Sequence, residues 1–311
     1  MKFSHIPVML NECIEGLNLK EGGVYFDGTL GGAGHSEAIL RGIGEKGRLI
    51  ATDLDSEAIA NAKERLKDFD GRYSLFNTNF KNFNEVKSMA GVTGFDGAIL
   101  DLGVSSYQLD NRSRGFSYLS ADSALDMRMD LSQSKSAKEV VNGYSEAKLR
   151  YILDTYGEEK FAGKIAAEIC RRRAKKPIET TGELVKIIEE SIPEKFKKNG
   201  HPAKKTFQAI RIEVNEELDG LSDAIKDIVR GLKKGGRMVI LTFHSLEDRI
   251  VKQTFKDLET DCVCDKRFPV CVCGKVKEIN IVNKKPIEAT EEELTNNPRS
   301  KSAKLRIAEK I

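Results

Sequence analysis

The chain has 311 residues, with 51 Lys and Arg against 48 Asp and Glu and a formal charge of +3. That length lies past the roughly 250–300 residues at which one core stops growing, so two domains or one domain with a large insertion are expected. Apolar residues at 40% suffice for a core, and no apolar stretch nears the about 20 residues of a membrane span, so a membrane-crossing chain is excluded. Met1 to Gly16 hold no apolar region long enough for a signal peptide, and a cytoplasmic location is expected.

The first hundred residues alternate strand and helix signals. Residues 24–30 form a short apolar run ending in glycines, and 36–41 read as a helix start. A second strand at 48–52 closes on Asp53, and Ser56 is placed to cap a helix with Ala58, Ile59, Ala62 and Leu66 on one face. A third strand at 73–79 and a fourth at 95–102, carrying Asp101, complete the pattern. Alternation at this spacing predicts a parallel sheet with helices on its faces, an α/β fold.

Residues 106–135 lose the period; from Ser145, which begins Ser-Glu-Ala-Lys-Leu, the chain is expected to be helical, through 151–155 and 161–173, with a second helix at 181–191. A sheet domain over 1–105 and 206–311, interrupted by a helical insertion at 106–205, is the expected organisation. One long helix is read through Ile210, Val214, Leu218, Leu221, Ile225 and Ile228 to Gly235-Gly236, followed by a strand at 237–243 and a helix at 246–258. Residues 277–283 and 304–308 are expected to pair as antiparallel strands. Over 164–205, Lys and Arg outnumber Asp and Glu twelve to six, which suits a polyanion or simply solvated helix faces.

Asp27-Gly28-Thr29-Leu30-Gly31-Gly32-Ala33-Gly34-His35 follows the first strand and opens a helix. Glycines there let a ligand approach the backbone. No Gly-Lys-Ser/Thr is present, and Glu37 stands where the dinucleotide fingerprint needs its third glycine. Asp53, at the next strand end, suits the two hydroxyls of a ribose or a helix cap. Acids at successive strand ends favour a ligand carrying positive charge, as S-adenosylmethionine does, over the phosphates of NAD.

Gly231-Leu232-Lys233-Lys234-Gly235-Gly236-Arg237 resembles the turn before the fifth strand of class I methyltransferases. Seven stretches together resemble the MraW/RsmH family of 16S ribosomal RNA cytosine-N4 methyltransferases. They are His5-Ile6-Pro7-Val8, the loop from Asp27 to Ser36, and Asp101-Leu102-Gly103-Val104-Ser105-Ser106 with Gln108-Leu109-Asp110. Leu125-Asp126-Met127-Arg128-Met129-Asp130 and Thr206-Phe207-Gln208-Ala209 with Arg211 follow. Phe243-His244-Ser245-Leu246-Glu247-Asp248-Arg249 and Asn297-Pro298-Arg299-Ser300 with Ser302, Leu305 and Arg306 complete the set.

The resemblance covers essentially the whole chain. It implies a class I, Rossmann-like sheet with the helical insertion as substrate-recognition domain, and S-adenosyl-L-methionine as cofactor. It also implies N4-methylation of a cytidine in the decoding region of 16S rRNA within the small ribosomal subunit, and is compatible with a homodimer. By the same resemblance Ala33, Gly34 and His35 lie along the methionine end of the cofactor, Asp53 holds the ribose, Phe80 packs on the adenine, and Asp101 and Gln108 complete the pocket. Ala33 replaces a glycine common in the family, a change that a backbone contact tolerates if φ is negative. Ala124 replaces a common proline.

Cytosine C5 chemistry needs a cysteine thiolate, and no cysteine sits at the strand ends. Transfer to an exocyclic amine needs only an acceptor and alignment. Asp101 is the candidate acceptor, with holding the methionine amino group as its alternative role. The target base must leave its stack, and the helical insertion is expected to wall its pocket. His201, Lys204 and Lys205 are candidates for phosphate contact, with Lys204 otherwise a solvated side chain. His244 and Arg249 are candidates at the sheet edge, with helix capping the alternative for His244. A non-catalytic RNA-binding factor and a small-molecule methyltransferase are the competing readings.

Cys262-Val263-Cys264 and Cys271-Val272-Cys273 stand six residues apart. A hairpin turning near Phe268-Pro269 would place four thiols on one side, either as a closed zinc site or as a reduced, apolar cluster. No metal ligand is expected among the catalytic residues.

Overall fold

The computed structural model describes residues 7–197, 200–265 and 270–311. His5, Ile6, Phe268 and Pro269 lie outside them. In chain order the elements begin with α1 (Leu10–Leu17), β1 (Val24–Asp27), α2 (Gly34–Gly42), β2 (Arg48–Asp53), α3 (Ser56–Arg65), β3 (Tyr73–Asn77), α4 (Phe83–Met89) and β4 (Phe95–Asp101). Helices α5 (Ser106–Asp110), α6 (Ala137–Gly143), α7 (Glu146–Thr155), α8 (Ala162–Arg173), α9 (Thr181–Ser191) and α10 (Lys204–Asn215) follow. The chain ends with α11 (Leu221–Gly231), β5 (Leu232–Thr242), α12 (Ser245–Glu259), β6 (Ile279–Ile281), β7 (Ile287–Glu288), α13 (Glu291–Asn296) and β8 (Lys304–Lys310). No described helix is long and apolar enough to cross a membrane.

The chain divides into two compact units: residues up to Gly103 with Gly220–Ile311, and Val104–Asp219. The first holds one sheet in the order β3-β2-β1-β4-β5-β8-β6, with β7 also paired to β8. Strands β1 to β5 run parallel, and β8 runs antiparallel to both β5 and β6. This is the expected class I sheet, including the terminal antiparallel pair.

Successive strand residues feed opposite faces, as period two requires. Tyr25, Leu49, Ile99, Val239 and Ile307 join the core that includes Leu17, Ile39 and Leu40 from α1 and α2. Phe26, Ile50, Ala98, Met238 and Ala308 join the core that includes Phe83, Ile225, Ile228 and Phe255 from α4, α11 and α12. Phe26, Phe83 and Phe95 interlock there at ring-centroid distances of 5.0, 5.7 and 5.4 Å. The sheet is thus buried on both sides, which leaves its strand ends as the place for a ligand.

The second unit is a helical cluster around Val140, Leu149, Ile152, Ile165, Leu184, Ile188, Phe207 and Ile210. Capping boxes start α6 (Ser136 with Glu139) and α9 (Thr180 with Glu183), and Ser145 caps α7.

Three sequence expectations are corrected. The long helix through Ile210 and Ile228 is two helices, because Glu216 (φ +51°) and Gly220 (φ +68°) take left-handed conformations that end α10 and precede α11. The unit boundary accordingly falls at Gly220 rather than at Thr206, since Phe207, Ile210 and Val214 of α10 bury into the helical core. At α3 the cap is Asp55, whose carboxylate accepts from Glu57 N–H at 3.0 Å, and Ser56 is the first helical residue.

Candidate active site

Strand order reverses between β1 and β4, the switch point at which open α/β sheets leave a crevice. Asp27, Asp53 and Asp101 end β1, β2 and β4 on that side of the sheet.

The glycine loop between β1 and α2 is held from every neighbour. Gly28 N–H donates to Ile99 O and Leu30 N–H to Thr52 O, both at 3.0 Å. Thr52 Oγ1 donates to Gly28 O at 2.9 Å, and Gly31 N–H donates to Asp53 Oδ2 at 2.7 Å. Asp27 anchors both ends of the loop, accepting from Thr29 N–H at 3.0 Å and from Ser36 Oγ at 2.7 Å.

Two of the glycines are demanded by close approach. A Cβ on Gly28 would lie 2.3 Å from Leu100 Cδ2 and 2.9 Å from Phe80 Cβ, and one on Gly34 would lie 2.2 Å from Pro7 Cγ. Ala33 departs from expectation. Its φ is +57°, so the negative φ on which the Gly-to-Ala tolerance rested is not present, and its buried Cβ sits in the left-handed region.

Asp101 is the most constrained acid. Its N–H donates to Thr29 Oγ1, its Oδ2 lies 3.7 Å from His35 Nδ1, and its Oδ1 is buried with no hydrogen-bond partner. His35 Nε2 lies 3.1 Å from Val8 O; a carbonyl only accepts, so Nε2 carries the hydrogen. Burial, then the charges of Asp27 and Glu247, push the Asp101 carboxyl up to about 8. Burial also raises Asp27 to about 6, against the hydrogen bonds from Ser36 and Thr29. Asp53 rises to about 6 through burial, opposed by the amides of Asp55 and Gly31.

A crevice in which three carboxyls resist ionisation, one with an orphaned oxygen, is a site that a cation would relieve. The chemistry therefore fits a ligand presenting positive charge beside Asp101.

The sheet unit brings together Ala33, Gly34, His35, Asp53, Phe80 and Asp101. Phe80 lies just past β3, half-buried against the core that includes Phe26 and Phe83. The helical unit carries Gln108, His201, Lys204 and Lys205. Gln108 is buried, and its Oε1 accepts from Ser105 N–H at 3.0 Å in the capping box of α5. His201 stacks on Tyr118 at 4.5 Å between ring centroids. Lys205 Nζ donates to Glu158 O at 2.8 Å, and Lys204 is exposed at the first turn of α10.

Arg249 is exposed on α12. His244 instead takes the capping alternative: its side chain is 6% exposed and its Nδ1 accepts from Glu247 N–H at 3.4 Å. Thr29, whose Oγ1 accepts from Asp101 N–H, and Glu247, whose charge acts on Asp101, lie in stretches singled out in the sequence but were not named there as site residues. For Glu247 a signal existed, because His244-x-x-Glu247 has capping-box spacing.

The basic excess over 164–205 is partly neutralised within its own unit. Arg171 and Arg172 pair with Glu168, Arg172 also with Glu190, and Lys176 with Glu183. Arg173 donates to the carbonyls of Val141 and Tyr144.

Residues 2–311 match the family described as the MraW methylase family. The chain is 56% identical over 311 residues to a protein of Clostridium botulinum (strain Kyoto / Type A2) named ribosomal RNA small subunit methyltransferase H, covering all of both chains. It is 53% identical over 312 residues to the protein of the same name from Clostridioides difficile (strain 630), again with full coverage of both.

Proposed function

The chain belongs to the MraW methylase family, and on that premise we propose that it moves the methyl group of S-adenosylmethionine to N4 of a cytidine in 16S ribosomal RNA. The observation that carries this reading is the buried, unpartnered Oδ1 of Asp101 in a ring of acids beside the glycine loop. Full-length relatives named ribosomal RNA small subunit methyltransferase H support the substrate class. The finer reading is a cytidine of the decoding region, met in the small subunit in the cytoplasm.

When bound, the cofactor supplies an electrophilic methyl on a sulfonium. In this reading the loop at Ala33, Gly34 and His35 lies along its methionine end, Asp53 accepts from the ribose hydroxyls, and Phe80 offers an apolar face to the adenine. Gln108 braces the segment after β4 through its bond to Ser105. Asp101 either accepts a hydrogen bond from N4 of the base, freeing its lone pair, or holds the methionine ammonium. Lys204, Lys205, His201 and Arg249 contact RNA.

C5 attack is disfavoured by the chemistry of the one cysteine in the sheet core. Cys13 is fully buried, and burial followed by the charge of Asp101 pushes its thiol well above the ordinary value, so it supplies no thiolate. The segment Asp101-Leu102-Gly103-Val104 also lacks the Pro-Pro-aromatic motif of DNA amino-methyltransferases.

The test is to incubate the protein with labelled S-adenosylmethionine and unmodified small subunits, digest the RNA and identify the product nucleoside by mass spectrometry. N4-methylcytidine is expected. A different methylated nucleoside overturns the assignment of the base, and cofactor binding without transfer overturns the substrate.

A further inference from the structure

Four of the six cysteines fall within the twelve residues 262–273, in the connection between α12 and β6. Their Sγ atoms all lie within 4.8 Å of one another. Cys271 Sγ stands 3.5 Å from Cys262, 3.5 Å from Cys273 and 4.0 Å from Cys264, and Cys273 stands 3.9 Å from Cys262. Sulfurs around a tetrahedral zinc at about 2.3 Å stand about 3.8 Å from each other, which is the spacing found here. A disulfide needs about 2.05 Å, and all four cysteines are free.

The backbone is aimed at the sulfurs as well. Val263 N–H donates to Cys273 Sγ at 3.5 Å, Cys264 N–H to Cys262 at 3.4 Å, and Val272 N–H to Cys264 at 3.3 Å. Lys275 N–H also donates to Cys273. Amide donors around thiolate ligands spread the negative charge that metal binding leaves on sulfur.

The competing account, thiols packed as apolar groups, needs burial. Cys262, Cys271 and Cys273 are exposed, and Cys264 is half-buried. The neighbouring valines offer no core either: Val263, Val270, Val272 and Val276 are 63%, 70%, 76% and 74% exposed. Hydrophobic contact therefore does not gather these four sulfurs, and something else must.

We propose that Cys262, Cys264, Cys271 and Cys273 form a closed tetrathiolate site for Zn²⁺, which fixes the connection between α12 and β6. Each thiol gives its proton to solvent as its sulfur bonds the ion, and no electron is exchanged. Four protein ligands leave no open position, so the ion is a structural clip and takes no part in methyl transfer. This inference stands apart from the function proposed above.

The test uses the full chain purified without chelator, with metals counted by plasma mass spectrometry. One zinc per chain is expected, and Co²⁺ loaded into the stripped protein should show a thiolate-to-metal charge-transfer band with intense tetrahedral d–d bands. The double variant Cys264→Ser/Cys271→Ser should retain less than about a tenth of an equivalent of zinc. Proteolysis within 262–273 should then accelerate at least about tenfold, while affinity for S-adenosylmethionine stays within about twofold. Four titratable free thiols at 262–273 with no zinc taken up on incubation would overturn the proposal. So would bound iron in place of zinc, or full zinc retention by the double variant.

Discussion

The amide of Gly31 donates to Asp53 Oδ2 at 2.7 Å, which ties the glycine loop to the end of the second strand. Asp53 Oδ1 is meanwhile engaged by Asp55 N–H at 2.8 Å. One carboxylate thus holds the loop and the start of α3 while keeping lone pairs for a ligand. Asp53→Ala should weaken S-adenosylmethionine binding by about 1–3 kcal/mol, because it leaves ribose hydroxyls without acceptors. Asp53→Asn keeps an acceptor for Gly31 and should lose less. Calorimetric titration of both variants checks this; unchanged affinity in Asp53→Ala would refute the placement of the ribose.

Asp101 predicts a pH dependence. Its ordinary value is 3.8, and the folded protein raises it to about 8. For an acid raised in this way, the contribution to stability is fully present below the unfolded value and is lost as pH rises through the folded one. The ligand-free protein should therefore lose stability between about pH 4 and pH 8 through this group, and Asp101→Asn should flatten that part of the profile. A cationic ligand favours the ionised carboxylate, so cofactor binding near neutral pH should release protons, and affinity should rise towards about pH 8. Calorimetry in buffers of different ionisation enthalpy reads the proton release directly. Asp101→Asn should abolish most of it.

The strands and their terminal acids were legible in the sequence because both signals are local. A period of two and a carboxylate before a turn need no knowledge of the partner strand. The break between α10 and α11 was not legible, because the apolar spacing runs unbroken from Ile210 to Ile228 while Glu216 and Gly220 leave the helical region. Asp219-Gly220 was a turn signal that the period masked. The orphaned oxygen of Asp101, its neighbour His35 and the Thr29 hydroxyl depend on contacts across many residues, which no window of sequence reports.

Ala33 offers a test of local strain. A non-glycine residue at φ +57° costs roughly 1–2 kcal/mol, and glycine removes that cost while raising the entropy of the unfolded chain. Ala33→Gly should stabilise the protein by about 0.5–1 kcal/mol in urea denaturation. Gly34→Ala should behave in the opposite way, since its new Cβ meets Pro7 Cγ at 2.2 Å. A destabilised Ala33→Gly would show that the methyl group packs better than the backbone is strained.

The seventh and sixth sequence stretches meet in one ion pair. Arg306 Nε and Nη2 donate to Asp248 Oδ1 and Oδ2 at 2.6 and 3.1 Å, joining β8 to the first turn of α12. The side chains are only 8% and 15% exposed, so neither charge has bulk water as a substitute. Asp248 also favours the helix N-terminus, where a negative charge is stabilising. Removing one partner of such a pair typically costs about 3–5 kcal/mol when the other stays buried and uncompensated, and Lys304 Nζ, 3.8 Å from Asp248 Oδ2, offsets part of that loss for Arg306→Met. Asp248→Ala should fall near that range in thermal or urea denaturation, and Arg306→Met somewhat below it. The double variant should recover part of the loss, because no charge is then stranded. Additive losses in the double variant would mean that the two side chains act independently and that the pair does not brace the end of the sheet.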